Sequence, residues 1–252
     1  MKRIDRCQAA SAAADHSSRD PVGLARYEPA SATRHAVFAP MHYEPNYAYP
    51  LLIWLHGWGD SETQLRRIMP IVSMRNYVAV APRGTVAVAG RTHPAGFGWC
   101  QDEDGVVLAG AHVADCIAQV RQRFHLATNR IFLAGYAEGG SMALRLALIE
   151  PHSFAGAASL GGAFPTGNCP LRHLDNARRL PLLLATARDS VRCSEQQAVG
   201  ALRLLHAAGM SLTLRQYPGG DDLTQGMLTD LDRWIMKQVC PSCAGSLDEA
   251  GV

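Results

Sequence analysis

The sequence predicts a three-layer α/β fold with a mainly parallel central sheet. Short apolar runs rich in β-formers lack polar alternation, stretches of helical spacing separate them, and glycine-bearing loops follow several of the runs. Strands covered by helices on both faces show no polar side.

Along the chain, residues 35–39 open the sheet as an antiparallel strand. Residues 51–55 (LLIWL), 77–81 (YVAVA), 131–134 (IFLA), 155–160 and 182–186 (LLLAT) are uniformly apolar and should be parallel and central. Residues 212–217 (LTLRQY) alternate, which places them nearer an edge. Val113, Ile117, Val120 and Phe124 share one helical face, as do Ala198, Ala201, Leu202 and Leu205, and then Leu228, Leu231, Ile235 and Val239. Residues 83–104 carry Gly84, Gly90, Pro94, Gly96 and Gly98; they look too irregular for an element and too long for an idle connection, so they should border a cleft.

A chain of 252 residues, 48% hydrophobic and 18% charged, is long enough for a full core and excludes wholesale disorder. The net charge of +2, without a long basic block, argues against nucleic acid as a partner. No apolar run approaches the length of about 18 residues that a membrane span needs. Polar residues interrupt the N-terminal stretch, so it reads as an arm and not as a signal peptide. Seven cysteines, an odd number spread over many segments, suit reduced thiols in the cytoplasm, and the lone Cys240/Cys243 pair lacks a second pair for a metal site. The expected organisation is an arm over residues 1–33, one domain over 34–240 and a tail over 241–252.

In a sheet of this kind ligands collect beyond the carboxyl ends of the strands. The loop after 51–55 reads His56-Gly57-Trp58-Gly59-Asp60, and the loop after 131–134 reads Gly135-Tyr136-Ala137-Glu138-Gly139-Gly140 and runs into a helix. Strand, sharp glycine-bounded turn and helix together resemble a nucleophile elbow. The loop after 182–186 carries Arg188 and Asp189. The joint placement of Gly57, Gly59, Gly135 and Gly139 after apolar strands favours site architecture over ordinary turns.

The segments LLIWLHGWGD, AGYAEGGSMALRLALIEP, residues 154–165, LLLATARD and YPGGDDLTQGMLTDLDRWI together resemble the phospholipase/carboxylesterase branch of the α/β-hydrolases, which includes acyl-protein thioesterases. The resemblance covers roughly residues 35–239 and implies an α/β-hydrolase fold. Members of that family cleave carboxylic esters or thioesters with a Ser, Asp and His triad. By the resemblance Asp189 takes the acid position, Ala137 the nucleophile position and Asp221 the histidine position. Alanine has no oxygen for attack on a carbonyl, and an ionised Asp cannot play the neutral imidazole. No histidine follows His206, and Ser141 lies one helical turn past the elbow.

The resemblance also makes the amides of Trp58 and Glu138 an oxyanion hole, assisted by the helix that begins there. His56, Gly57, Tyr136 and Trp99 are placed at the pocket. His56 reads as a structural hydrogen-bonding residue, and Trp58, Phe97 and Trp99 either line the cleft mouth or pack down as local core. Asp221, Asp222 and Asp189 would crowd carboxylates in one cleft; a solvated acidic loop, with no dedicated metal and no cofactor, is the expectation. Two readings stay open. One is a non-hydrolytic pocket for a small acyl or ester-like ligand, acting alone, with a protein partner or as a homodimer. The other is a weak hydrolase or lyase in which Asp221 or Glu138 activates water.

Overall fold

The computed structural model describes residues 26–27, 34–89, 96–167 and 169–240. Apart from Arg26–Tyr27, the expected arm over 1–33 lies outside them, as do the tail over 241–252, Cys243, Gly90 and Pro94.

Strands β1 (Arg26–Tyr27), β2 (His35–Phe38) and β3 (Tyr49–Leu55) are followed by helix α1 (Gln64–Val72), and β4 (Val78–Pro82), β5 (Val86–Val88) and β6 (Gly96–Gly98) come next. The chain continues through α2 (Glu103–Arg121), β7 (Leu126–Tyr136), α3 (Glu138–Ile149), a 3-10 turn at Pro151–Ser153 and β8 (Gly156–Leu160). It ends in α4 (Leu174–Ala177), β9 (Leu182–Ala187), α5 (Glu195–Ala207), β10 (Leu212–Tyr217) and α6 (Gln225–Val239).

Seven strands form the main sheet in the order β10-β9-β8-β7-β3-β4-β2. All neighbours are parallel except β2, which pairs antiparallel with β4 at one edge, while β10 forms the other edge. Every residue of β3, β4, β8 and β9 is buried, as strands covered on both faces require. Leu51, Ile53 and Leu55 face a core built with α2, α3 and α5, whereas Leu52 and Trp54 face a second core built with α1 and α6. This period of two divides the strand side chains between the layers.

The helices start where their caps dictate. Asp102 accepts from the Gly105 amide at 2.7 Å to begin α2, Ser194 and Gln197 form a capping box on α5, and Thr224 caps α6. Phe124, grouped with the α2 face in the sequence, falls just past that helix and packs on Tyr43 and the core.

The stretch 83–104 is more regular than its composition suggests. Strands β5 and β6 are antiparallel and join β1 in a small separate sheet, so the expected arm also contains a strand. Strands of two and three residues give no readable alternation, which is why the pattern conceals them. No helix among the described residues is long and apolar enough to cross a membrane.

Candidate functional site

The loops after β3, β7, β9 and β10 meet at the carboxyl side of the sheet. His56, with 0% exposure, sits beneath the first of them. Its Nδ1–H donates to the Gly57 carbonyl at 2.8 Å and its Nε2 accepts from the Gly84 amide at 2.9 Å. These partners fix one neutral tautomer, and burial pushes the imidazole pKa down. His56 is therefore a strut between two loops, with both ring nitrogens engaged.

Trp99 differs from its placement at the pocket. The side chain is 1% exposed and its indole N–H donates to the His56 carbonyl at 2.9 Å, so it is core beneath the loop. Trp58 is the aromatic residue left outside, half exposed, with its ring against Gly98, where a β-carbon would lie 2.4 Å from a ring carbon. The Gly59 amide donates to the Phe97 carbonyl at 2.9 Å and the Phe97 amide to the Asp60 carbonyl at 2.7 Å, pinning this loop to β6.

A partly buried ion pair ties the same region to the turn before α1. Arg83 Nε and an Nη atom donate to the two Glu62 oxygens at 2.8 and 2.6 Å, and the guanidinium lies 4.3 Å from the Phe97 ring centre. Burial opposes the Glu62 charge, but the Arg83 fork outweighs it and holds the carboxyl below its ordinary value. Because the folded pKa is depressed, the stabilisation is full at neutral pH and is lost as pH falls from 4.5 through the lowered value. Glu62→Gln is expected to cost about 2 kcal/mol near neutrality by replacing a charge-assisted fork with a weaker neutral contact. Thermal melts of both proteins should draw together as pH is lowered well below 4.5.

Ala137 occupies the turn from β7 into α3 with φ 50° and ψ −122°. A non-glycine residue in that region is strained, and such strain persists only where the surroundings enforce it. The enforcement is visible. The Ala137 amide donates to the Leu160 carbonyl at 2.9 Å, and its carbonyl accepts from the Ser141 amide at 3.1 Å. A β-carbon on Gly139 would lie 2.3 Å from the carbonyl oxygens of both Leu55 and His56, so only glycine lets α3 start this close to β3. Ser141 lies inside α3 and donates its hydroxyl to the Ala163 carbonyl at 2.7 Å.

Glu138 turns its side chain toward the neighbouring loop, where Oε2 accepts from the Trp58 amide at 3.3 Å. The amide expected to face a ligand oxygen thus already serves a carboxylate of the chain itself. The Glu138 carbonyl accepts from Gln101 Nε2 at 3.1 Å, and Gln101 Oε1 accepts from Arg145 Nε at 3.2 Å. Gln101 and Arg145 were not singled out by sequence reasoning. The visible signal for Arg145 was a charge inside the apolar run MALRLALI.

Asp189 and Asp221 lie in adjacent turns, with different partners. The Asp189 amide donates to the Gly219 carbonyl at 3.0 Å, while its carboxylate is exposed and accepts no hydrogen bond from the described residues. Asp221 closes the turn after β9. It accepts from Ser190 Oγ at 2.5 Å, the Val191 amide at 3.2 Å and the Arg192 amide at 3.3 Å. Slight burial opposes its charge, yet the Ser190 hydroxyl and then these amides hold the carboxyl below the usual range. Both Asp221 oxygens are thus engaged by donors of the turn after β9. No group of three or more His, Cys, Asp or Glu side chains is placed to hold a metal among the described residues.

Tyr136 joins the two sides. Its hydroxyl donates to the Asp221 carbonyl and accepts from Arg192 Nη1 at 3.2 Å, its ring packs against Gly57, and burial pushes the phenol pKa up.

Solved structures show the same fold. The Bacillus cereus carboxylesterase superposes with a TM-score of 0.66 at 19% identity, over 83% of this chain and 96% of that one. Zea mays acyl-protein thioesterase 2 gives 0.64 at 18% identity, over 82% of this chain and all (100%) of that one. By sequence, a probable carboxylesterase of Oryza sativa subsp. japonica is 27% identical over 226 residues, covering 82% of this chain and 84% of the relative. The phospholipase/carboxylesterase family model matches residues 44–238, which takes in the main sheet from β3 onward and every loop described above. An α/β-hydrolase sheet, a strained turn at its centre and a family match across most of the chain agree, and the protein belongs to the phospholipase/carboxylesterase family.

Proposed function

We propose that this chain is a non-hydrolytic member of its family, an esterase-like scaffold that binds a small acyl or ester-like ligand in the cytoplasm. On this reading Ala137 stands in the nucleophile position, Asp221 in the histidine position and Asp189 in the acid position. The observation that carries it is Ala137 itself: the turn keeps the strained backbone that an elbow nucleophile needs, and the side chain offers no oxygen. The geometry of Asp221 supports the same reading, because its oxygens serve Ser190, Val191 and Arg192. A carboxylate so engaged is a poor base for water. The amides of Trp58 and Glu138 remain as the cradle for a ligand oxygen, on condition that the Glu138 side chain yields. A protein partner or a second copy of the chain is compatible with this role.

Glu138 favours one alternative, activation of water by a carboxylate beside the cradle, since among the described residues only one of its oxygens is bonded, to the Trp58 amide. Turnover of p-nitrophenyl butyrate separates the two readings. The expected rate is indistinguishable from buffer, and the same for Glu138→Gln. A clear rate that disappears in Glu138→Gln would replace binding with catalysis.

A further inference from the structure

Arg145 projects from α3 into the interior with 4% exposure, and no described carboxylate pairs with it. Its acceptors are neutral: the Gln101 side chain at 3.2 Å and the carbonyls of Thr166 and Gly167 at 2.7 and 3.2 Å. A guanidinium carries five N–H groups, so these bonds leave donors over. Burial lowers its pKa. A buried charge is ordinarily paired with an opposite one.

A cavity of about 360 Å³ opens beside this residue, between the first turns of α2, the end of α3 and the segment 169–173. That volume lies in the range of small-ligand sites. Arg145, Arg172 and His173 supply positive or ionisable groups, and Val106, Leu148 and Pro170 supply an apolar wall. Val107 and Ile149, 69% and 43% exposed, continue that wall to the rim. Glu103, also on the lining, offsets part of the charge and leaves the two arginines in excess.

From this pairing of a buried guanidinium, bonded among the described residues to neutral acceptors, with an apolar wall, we infer that the cavity between α2, α3 and residues 169–173 binds a small monocarboxylate bearing a short apolar tail. The carboxylate takes the remaining donors of Arg145, with Arg172 at the entrance, and the tail covers Val107 and Ile149. Arg–carboxylate bonds are the strong, directional kind, and the tail adds apolar burial. The lining includes none of Ala137, Trp58, Glu138 or Asp221, so the site stands whether or not the scaffold hydrolyses esters.

The test is a titration of the full chain with sodium hexanoate, followed by amide chemical shifts. Saturable shifts confined to residues 103–107, 145–149 and 169–173 are expected, with a dissociation constant of order 1 mM. Hexanol and inorganic phosphate should each bind about tenfold more weakly, because each lacks one half of the recognition. Arg145→Gln should weaken hexanoate about tenfold; Arg172→Gln, at an exposed position that cannot unfold the chain, should weaken it about threefold. Absence of saturation at about 50 mM hexanoate would overturn the inference. So would equal binding of hexanol, equal binding of phosphate, or unchanged affinity in the Arg172 variant.

Discussion

Combining Ala137→Ser, Asp221→His and Glu138→Gln is expected to create a measurable esterase. Serine supplies the hydroxyl at a turn whose φ of 50° already suits a nucleophile, and on the proposed assignment histidine at position 221 supplies the base that Asp189 orients. The third change comes from the structure: with Glu138 left in place, a carboxylate sits on the Trp58 amide and opposes a developing oxyanion. In a serine hydrolase, loss of the catalytic group costs roughly 10⁶ in turnover, with the oxyanion hole and binding retaining about 10³ over water. Turnover of p-nitrophenyl butyrate about 10³-fold above the buffer rate is the expected outcome, below full recovery because Asp221→His gives up three hydrogen bonds to the turn at Ser190. Ala137→Ser with Glu138→Gln, lacking the histidine, should stay near background. A folded but inert triple variant would mean that Asp189 and residue 221 cannot be brought into line with the elbow.

Gly139→Ala is expected to be the most damaging single methyl group in the region. The added carbon meets two backbone oxygens at 2.3 Å, and neither can swing away as a side chain would. Relief requires α3 to retreat from β3, which should cost about 4 kcal/mol and lower the melting temperature by roughly 10 °C. Ala137→Gly supplies the contrast. Glycine tolerates positive φ, so relief of strain offsets its larger unfolded-state entropy, and stability should hold or rise by about 1 kcal/mol. Thermal melts of both variants check the pair. Loss of stability in Ala137→Gly would show that the elbow is not strained by its alanine.

The strands of the main sheet were legible because burial on both faces leaves no polar residue to blur the runs; LLIWL and LLLAT are the plainest cases. Strand β7 was read short, since Thr128 and Asn129 are exposed and, with Arg130, interrupt the apolar pattern. Helix α1 went unread because Pro70 sits inside its last turn, where sequence rules predict a break. At the site, the position of Ala137 followed from strand, glycine and helix signals, which are local. The contact from Glu138 to Trp58 spans 80 positions and depends on a side-chain torsion. Trp99 could not be assigned to core or rim because a glycine-rich loop leaves both conformations open, and its bond to the His56 carbonyl is long-range. The turn donors around Asp221 were hidden for the same reason: β9 and β10 must first pair before Ser190 meets it.

The central claim is that no side chain at the elbow can form an acyl adduct. Intact-mass measurement of the purified chain after incubation with an alkyl fluorophosphonate tests it directly. The account predicts an unmodified mass, and a parallel sample of the Ala137→Ser, Asp221→His, Glu138→Gln variant that gains one phosphonyl group. Stoichiometric phosphonylation of the unaltered chain at any serine would contradict it.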